Sequence, residues 1–307
     1  MKQVLVTGTY GFLGRHTAKI FKENGYHVVG LGHGKWHPED YIQWGVDEWF
    51  ESTITFESLM TIDVKFDAIV HCGGSGSVGF SYSNPYEDFQ KSVQSTLSIL
   101  EYIRLRVPNC KFIYPSSPAV QGQLPDRPIL ENVISSPISP YGFHKKSAEE
   151  LCLSYHRNYN VTVGIIRFFS IYGPGLQKQL LYDACNKIKN STGNEIVFFG
   201  TGKETRDWIN IDDATSLIYS FTENLNQWDV INGASGVRME IKDTLELLAS
   251  NFDKNIKINF NGFVRQGDPI YFWADVTKAK AYGWEPQIPM NKGLQAFFEY
   301  FKKLKNG

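Results

Sequence analysis

The sequence has few of the features that mark secreted, membrane or metal-binding proteins. It contains four cysteines in 307 residues, and no two of them form a C-x-x-C pair. This spacing argues against a metal cluster or a disulfide framework and fits a reducing compartment. No apolar run approaches the length of a membrane span, and the chain begins almost at once with an apolar strand, which leaves no room for a signal peptide. We therefore expect a cytoplasmic protein without a metal site and without a membrane segment.

An excess of charge of either sign is also missing. The chain carries 31 Lys and Arg against 32 Asp and Glu, a net charge of -1, and it has no basic run. Nothing therefore predicts nucleic-acid binding. Hydrophobic residues at 42% and charged residues at 21% are typical of a soluble globular protein. The length suits one large α/β domain, alone or with a smaller lobe.

The first 31 residues predict a strand, a glycine-rich turn, a helix and a second strand. The strand covers residues 3–7, the helix residues 15–24 up to Gly25, and the second strand residues 27–31. This order is the first unit of a dinucleotide-binding fold, in which glycines let pyrophosphate approach the N–H groups at a helix N-terminus. The cofactor-binding residues predicted in this turn are Gly8, Gly11, Phe12, Leu13 and Gly14.

The end of the second strand bears on the choice of cofactor. An acid about twenty residues past the glycines usually binds the adenosine ribose of NAD, but this position is Gly32 and the first acid is Glu39. His33 and Lys35 could offset the charge of a 2′-phosphate. The tip therefore favours NADP(H), with NAD(H) possible; the alternative is a flexible glycine turn with a solvated lysine.

Further strands alternate with helices and predict a doubly wound parallel sheet. The predicted strands are 48–53, 67–72, 111–114 and 161–166, and the predicted helices are 56–62 and 85–106. Cys72 and Gly73 follow a strand at the carboxyl edge of the sheet, where ligands bind, so we expect them to contact the cofactor. The small, polar run 75–83, which begins with Ser75, lines the substrate pocket or forms a mobile loop. His71, inside the strand, is interpreted as a core histidine.

A serine, a tyrosine and a lysine form the candidate catalytic group. If Pro140 opens a helix, Tyr141 and Lys145 lie one turn apart on the same face. The ammonium group then favours phenolate, and Ser117, after the 111–114 strand, can hold a substrate oxygen while charge develops there. Such a group handles the proton in an alcohol–ketone interconversion that needs a hydride partner.

The second half of the chain has shorter, mixed elements. Predicted helices cover 181–189, 213–223, 242–251 and a last segment from 292, and predicted strands cover 196–199, 230–232 and 256–259. We expect residues 1–175 to form the dinucleotide-binding domain, joined by some later elements, and residues 176–307 to form mostly a substrate lobe. The fold class is thus α/β: a Rossmann-type doubly wound parallel sheet with a smaller C-terminal mixed α/β lobe.

These motifs resemble those of the extended short-chain dehydrogenase/reductase superfamily, in particular its NAD(P)-dependent nucleotide-sugar epimerase, dehydratase and reductase group. Ser117, Tyr141 and Lys145 match the Ser–Tyr–Lys triad of this group, in which the lysine also binds the nicotinamide ribose. Segment 167–174 is similar to the stretch that borders nicotinamide and sugar, which implies cofactor contact for Phe168 and substrate contact for Ser170.

Two further segments resemble the group's arginine motifs. They contain Arg206 and Arg265, whose guanidinium groups the resemblance places on the substrate diphosphate. The chain departs from the dehydratases, because Pro118 and Ala119 stand where those enzymes carry an Asp-Glu pair. It also departs at Ser170, where asparagine is common.

The resemblance implies an enzyme that acts on a nucleotide-diphosphate sugar. We expect an NADPH-dependent reductase of a keto group on the sugar, most simply a 4-keto group, with Tyr141 as proton donor. The alternative is an NAD-retaining nucleotide-sugar 4-epimerase, and the remote alternative is a non-catalytic dinucleotide-binding sensor. The long helices 85–106 and 141–158 resemble those that pair in the dimers of this family, so we expect a homodimer.

Overall fold

The computed structural model describes residues 1–252, 255–263, 267 and 269–306. Thirteen strands are present in this part of the chain: β1 Gln3–Thr7, β2 His27–Gly32, β3 Glu48–Glu51, β4 Ala68–His71, β5 Lys111–Ser116, β6 Thr162–Phe168, β7 Ser170–Tyr172, β8 Glu195–Phe198, β9 Thr205–Arg206, β10 Trp208–Asn210, β11 Asp229–Gly233, β12 Met239–Glu240 and β13 Lys257–Phe260.

Twelve α-helices connect or flank these strands: α1 Phe12–Glu23, α2 Pro38–Gln43, α3 Phe56–Met60, α4 Val78–Ser83, α5 Pro85–Phe89, α6 Ser95–Arg106, α7 Pro140–Tyr159, α8 Gln179–Asn190, α9 Ile211–Asn224, α10 Ile241–Ala249, α11 Thr277–Ala281 and α12 Met290–Asn306. A π-helical turn, Gln90–Gln94, joins α5 to α6, and a 3₁₀ turn, Pro118–Val120, follows β5. No helix in the described ranges is long and apolar enough to cross a membrane.

Seven strands form one parallel sheet in the order β11-β6-β5-β4-β1-β2-β3. The predicted doubly wound α/β fold is therefore confirmed. The strand order reverses between β1 and β4, where Thr7 pairs with His71. In such sheets ligands bind beyond the carboxyl ends of the strands at this switch point.

The two faces of the sheet carry separate cores, because successive strand residues point to opposite sides. Val4 and Val6 of β1 pack on the side covered by α1 and α9, whereas Leu5 packs on the side covered by α6 and α7. All three side chains are fully buried. The core on this second face thereby fixes the position of α7, which carries Tyr141 and Lys145.

A third cluster of buried residues lies among α8, α10, α12 and the two-stranded sheet β8–β13. Two elements from beyond residue 175 belong instead to the large sheet: β11 pairs with β6, and α9 packs on the same face as α1. The division into residues 1–175 and 176–307 stays a proposal, to which β11 and α9 are the exceptions.

Most predicted elements are present, with ends shifted by a few residues. The predicted strand 3–7 coincides with β1, whereas α1 begins at Phe12 rather than at residue 15. The 75–83 run is only partly a loop, because Ser77 caps a short helix by accepting a hydrogen bond from the Phe80 N–H at 3.2 Å. The predicted 85–106 helix is continuous but contains the π-helical turn.

Candidate active site

The glycine-rich turn lies against the residues that follow β4. Gly8 adopts φ +70°, and a Cβ atom there would lie 2.5 Å from the Gly73 backbone nitrogen. At Gly14 a Cβ would lie 2.3 Å from the Gly8 carbonyl oxygen. Only glycine fits both places. The close approach brings the predicted cofactor residues of the turn next to Cys72 and Gly73.

The N-terminus of α1 suits a dinucleotide pyrophosphate. Gly11 is the N-cap residue and is exposed, and within the described residues no side chain caps the first N–H groups of the helix. The backbone at Phe12 and Leu13 therefore offers donors at the positive end of a helix dipole. Gly8, Gly11, Phe12, Leu13 and Gly14 fit the dinucleotide expected from the sequence.

The tip of β2 carries cations and aromatic rings. His33 and Lys35 are exposed, and Glu39 lies in α2, also exposed. A further cation, Arg15, lies on α1; its Cζ is 5.5, 5.7 and 5.3 Å from the ring centroids of Tyr10, Trp36 and Trp44 respectively. The basic tip predicted from the sequence thus gains a guanidinium group from the first turn of α1.

Helix α7 begins as the sequence predicts. Pro140 occupies its first turn, and the Ser139 hydroxyl accepts a hydrogen bond from the Gly142 N–H at 3.2 Å. The Tyr141 N–H donates to Ser81 Oγ of α4 at 3.0 Å. These two bonds fix the first turn of α7, and with it the position of Tyr141, because one comes from the N-cap residue and the other from the neighbouring helix α4.

Lys145 lies one turn after Tyr141 and is 5% exposed. Its Nζ donates to the Pro115 carbonyl oxygen of β5 at 3.0 Å and lies 4.7 Å from the ring centroid of Tyr114 and 6.0 Å from that of Tyr141. Ser117 follows β5; its Oγ accepts a hydrogen bond from the Ala119 N–H at 3.2 Å, and its hydroxyl lies beside the Tyr141 phenol. The fold thus brings the predicted Ser117, Tyr141 and Lys145 together at the carboxyl edge of the sheet.

Burial determines the titration of this group. It raises the pKa of Tyr141 to about 12 and lowers the pKa of Lys145 to about 8, because burial disfavours phenolate and ammonium alike. The neighbouring Ser117 hydroxyl acts in the opposite direction on Tyr141 and lowers its pKa. The sequence assigned that lowering to Lys145; in this geometry Ser117 supplies it.

A buried ion pair fixes α7 to the sheet. Glu149 accepts from Arg167 Nη2 at 2.7 Å and Nε at 3.0 Å, and from Ser116 Oγ at 2.6 Å. Arg167 also donates to the Glu131 carbonyl oxygen at 2.8 Å. The bidentate geometry satisfies both charges, which a buried pair requires to be stable.

The other predicted residues lie in different surroundings. Ser75 is half-buried in the loop before α4, and Ser170 begins β7. Phe168 is buried in the core, where its ring packs against Gly233, so its assignment to the cofactor remains a prediction. Arg206 Nη1 donates to the carbonyl oxygens of Thr205 at 2.8 Å and Pro269 at 2.9 Å. Arg265 lies outside the described residues.

His71 is a structural histidine, as interpreted. Its ring nitrogens hydrogen-bond Thr7 Oγ1 at 2.6 Å and Ser95 Oγ at 3.0 Å, and burial lowers its pKa to about 3. Two other polar residues near Tyr141, Asp88 and His144, were absent from the predicted site. His144 falls within the Tyr-x-x-x-Lys interval and could have been noticed, whereas nothing local distinguishes Asp88.

A parallel Rossmann-type sheet, a glycine-rich turn at its switch point and a Ser–Tyr–Lys group at the same edge define an NAD(P)-dependent enzyme of the extended short-chain dehydrogenase/reductase class. The model of the "NAD dependent epimerase/dehydratase family" matches residues 4–232. The chain belongs to this family.

Relatives and solved structures match over nearly the whole chain. A UDP-glucuronate 4-epimerase of Thermodesulfobacterium geofontis is 27% identical, covering 99% of this chain and 97% of the relative. A CDP-paratose 2-epimerase of Salmonella typhi is also 27% identical, covering 98% of this chain and 100% of the relative. The solved structure of UDP-glucuronic acid 4-epimerase from Bacillus cereus with UDP-glucuronic acid and NAD has a TM-score of 0.87 at 26% identity, covering 98% of this chain and 99% of that one.

Proposed function

We propose that the protein is an NAD-dependent 4-epimerase of a UDP-activated sugar. The observation that carries the proposal is the Tyr141 phenol, which lies beside the Ser117 hydroxyl and one helical turn from Lys145, in a chain that matches a UDP-sugar 4-epimerase over 98% of its length. The reductase that the sequence favoured uses the same residues, but the similar proteins support the epimerase better.

In this proposal the chain moves the proton and holds the sugar. NAD supplies a reversible hydride acceptor. Tyr141 takes the proton from the C4 hydroxyl and returns it to the same oxygen after the keto sugar has rotated to offer its opposite face for return of the hydride, while Ser117 holds that oxygen as its charge changes. The raised pKa of Tyr141 favours the protonated phenol, which is the form that returns the proton. Lys145 adds a buried ammonium group one turn away.

The diphosphate is assigned to the arginines. We propose that Arg206 binds it with Arg265, and that Ser75 and Ser170 contact the sugar. The support for Arg206 is its position on β9, beside β10, which pairs with the β7 strand that begins with Ser170. Binding of the nonreacting diphosphate would supply energy that orients the reacting carbon.

The test is to release and identify the dinucleotide from purified protein, then to incubate the protein with UDP-glucuronic acid or UDP-glucose and resolve the products. The proposal predicts NAD, released slowly, and a C4 epimer formed without net oxidation or reduction of the cofactor. Consumption of one NADPH per product would instead identify a reductase.

The NADPH-dependent reductase is kept as the second candidate because of the tip of β2. His33 and Lys35 are exposed there, Gly32 replaces the usual acid, and the Arg15 guanidinium lies among three aromatic rings. If this tip binds a 2′-phosphate, Arg15→Ala or Lys35→Ala reduces affinity for NADPH and leaves affinity for NADH unchanged. Equal loss for both dinucleotides would show that the cations do not read the phosphate.

We also propose that the protein is a homodimer formed through α5, α6 and α7. These helices carry large apolar side chains with at least 41% exposure, which a second copy would cover: Tyr86, Phe89, Leu97, Leu105, Phe143 and Tyr159. Light scattering should give twice the chain mass, and Phe143→Glu should give the monomer mass. Ile42→Glu, at an equally exposed position of α2, should leave the mass unchanged.

A cytoplasmic location is the remaining proposal. All four cysteines are free, and three of them are buried. Unpaired thiols are usual where glutathione and thioredoxin keep cysteines reduced. Fractionation of the cells that make the protein, followed by immunodetection, tests this proposal; recovery outside the cytoplasm would contradict it.

A further inference from the structure

An aspartate and a histidine form a buried pair beside the catalytic group. Asp88 belongs to α5 and its side chain is 0% exposed. Its Oδ2 accepts a hydrogen bond from His144 Nδ1 at 2.5 Å; the ring nitrogen is the donor because a carboxylate only accepts. No hydrogen-bond partner for Oδ1 is present among the described residues. Burying a carboxylate with only one hydrogen-bonded oxygen costs folding free energy, which suggests that Asp88 has a function.

The pair lies close to the two titrating groups of the site. His144 stands on α7 between Tyr141 and Lys145, and α5 and the π-helical turn pack against this helix. The π-helical turn begins directly after α5, at Gln90. The packing of α5 on α7 thus places a carboxylate against the same stretch of helix that carries the phenol and the ammonium group.

Of the two buried carboxylates near Lys145, Asp88 is the one without an arginine partner in the part of the chain that the structure describes. The other buried carboxylate near Lys145 is Glu149, which holds a bidentate bond to Arg167. Asp88 has no ion pair with a lysine or arginine in the described ranges; its partner is His144. Accordingly, the negative charge of Asp88 raises the pKa of Tyr141 and that of Lys145, in each case by stabilising the protonated form.

The other groups that face these two side chains come from three segments: the end of β4, β5 with the turn after it, and α7. Beside Tyr141, the Ser117 hydroxyl is the group that lowers the pKa of the phenol. Around Lys145, the remaining titratable groups are Glu149, Cys72, Cys152, His71 and Tyr114. Burial raises the pKa of both thiols and of the Tyr114 phenol and lowers that of the imidazole, which leaves all four uncharged near neutral pH. Asp88 is therefore the group whose charge can be removed without breaking the ion pair that anchors α7.

We propose that Asp88 is a positioning residue of the active site, whose buried carboxylate, held by His144, keeps Tyr141 as a proton donor and Lys145 as an ammonium ion. This inference rests on the proposed function, because it assigns the proton chemistry to Tyr141. The carboxylate itself does not need to touch substrate or cofactor. It acts through its field, which the low dielectric of the buried site strengthens.

Removing the charge of Asp88 should move the titrations of Tyr141 and Lys145 in the same direction, towards lower pH. Without the negative charge, Tyr141 and Lys145 both lose their protons more easily. Asp88→Asn keeps an acceptor for His144 and removes the charge. The two limbs of the pH profile of kcat/KM should therefore move together towards lower pH, by about half a unit or more.

The experiment compares Asp88→Asn with Glu87→Gln. The control makes the same change of charge at the preceding residue of α5, where Glu87 is exposed and pairs with Lys91 at 2.6 Å. The pH profiles of epimerisation form the first readout. The second needs no substrate: the Cε chemical shift of Lys145 is titrated in ¹³C-lysine-labelled protein and assigned by its loss in Lys145→Met.

In Asp88→Asn, the limbs of the pH profile and the Lys145 titration should both move to lower pH. Neither should move in Glu87→Gln. In Asp88→Glu, which keeps the charge, both should match those of the unaltered protein. Unmoved limbs and an unmoved Lys145 titration in a folded Asp88→Asn protein would overturn the proposal. If no UDP-sugar is turned over, the proposed function fails, whereas the Lys145 titration still decides the role of Asp88.

A variant in which both Asp88 and His144 are replaced keeps the proposal testable if Asp88→Asn does not fold. Asp88→Leu combined with His144→Phe removes the charge without leaving a polar partner buried, a change that cores often tolerate. If Asp88→Asn does not fold, this double variant should show the same shift of the Lys145 titration. A titration identical to that of the unaltered protein would overturn the proposal equally.

Discussion

Burial moves Tyr141 and Lys145 in opposite directions on the pKa scale although they lie one turn apart. The pKa of the phenol rises to about 12 and that of the ammonium group falls to about 8, because each side chain is pushed towards its neutral form. At neutral pH the phenol is therefore protonated. The Ser117 hydroxyl beside the phenol lowers the pKa of Tyr141 and so favours the phenolate that takes a proton in the reverse step.

Removing the phenol oxygen should separate chemistry from binding. Tyr141→Phe is expected to reduce kcat by about 10²–10⁴-fold, the usual contribution of a positioned acid–base group, and to leave dinucleotide affinity unchanged. Steady-state kinetics and a fluorescence titration with the dinucleotide measure the two effects. Tyr155→Phe makes the same change on the same helix, where the hydroxyl bonds Glu101 at 2.9 Å, and should retain activity. Equal activity in both variants would show that Tyr141 is not the proton donor.

Lys145 should make stability depend on pH. Its folded pKa, about 8, lies below the ordinary value of 10.5, so between these pH values the unfolded chain binds more protons than the folded protein. Stability contributed by this group therefore rises with pH across that window, and its cost is fully present below pH 8. The cost corresponds to about 3 kcal/mol.

Urea denaturation of Lys145→Met tests this dependence. The variant is expected to gain stability relative to the unaltered protein by about 3 kcal/mol more at pH 7.5 than at pH 10.5, because methionine has no proton to lose. Loss of the bond to the Pro115 carbonyl lowers the stability of the variant, so the test is the difference between the two pH values and not the stability at either one. Lys146→Met, at the more exposed neighbouring lysine, should show no such trend. A pH-independent difference for Lys145→Met would refute the assigned pKa.

At the scale of elements, the first turn of α7 is packed too closely to accept a side chain at Gly142. A Cβ atom there would lie 2.5 Å from the Ala119 carbonyl oxygen and 2.9 Å from Pro137 Cβ. Ala119 belongs to the 3₁₀ turn that follows Ser117. The glycine therefore allows the catalytic helix to approach the segment that supplies the serine.

Gly142→Ala should lower both stability and activity. The methyl group must push α7 away from the 3₁₀ turn, at a cost of about 1–3 kcal/mol, and it separates Tyr141 from Ser117. Gly79→Ala is the matched control in α4, where the nearest atom, Ser77 Oγ, is 3.9 Å away. The control should be as stable as the unaltered protein or more stable by about 0.5–1 kcal/mol. Thermal melts and kcat measurements would contradict the packing argument if both variants behaved alike.

The sequence predicted the elements that carry strong local signals. Hydrophobic runs defined β1, β2 and β4, and Pro140 marked the start of α7 to the residue. The π-helical turn in the 85–106 helix was not predicted, because its residues have no distinct local preference. Helix α4 was missed because its sequence is small and polar and its stability depends on the Ser77 cap and on the bond from Tyr141 to Ser81.

At the scale of the molecule, the large sheet is completed by two elements from beyond residue 175. Strand β11 covers the outer edge of β6, and α9 covers the face that also carries α1. Leu217 and Phe221 of α9 are fully buried there. The first 175 residues therefore contain the catalytic group but not the whole core that supports it.

A fragment of residues 1–175 should not fold by itself. It would expose the edge of β6 and the apolar surface under α9, which favours aggregation. Circular dichroism and light scattering are expected to show an unfolded or aggregated product. The matched fragment 1–236, which retains α9 and β11, should be recovered in greater soluble yield. If fragment 1–175 were monomeric and melted cooperatively, residues 1–175 would be an independently folding domain, and the packing argument would be wrong.

The sequence by itself determined the class of fold, the glycine-rich turn and the identity of Ser117, Tyr141 and Lys145, because strand and helix periodicity and fixed spacings are local properties of the chain. Only the tertiary structure decided how those residues titrate and what surrounds them. Burial, the approach of Ser117 to Tyr141 and the field of Asp88 depend on segments that are far apart in sequence and meet through packing. The pair of Asp88 with His144, 56 residues away, has no signature until α5 packs against α7.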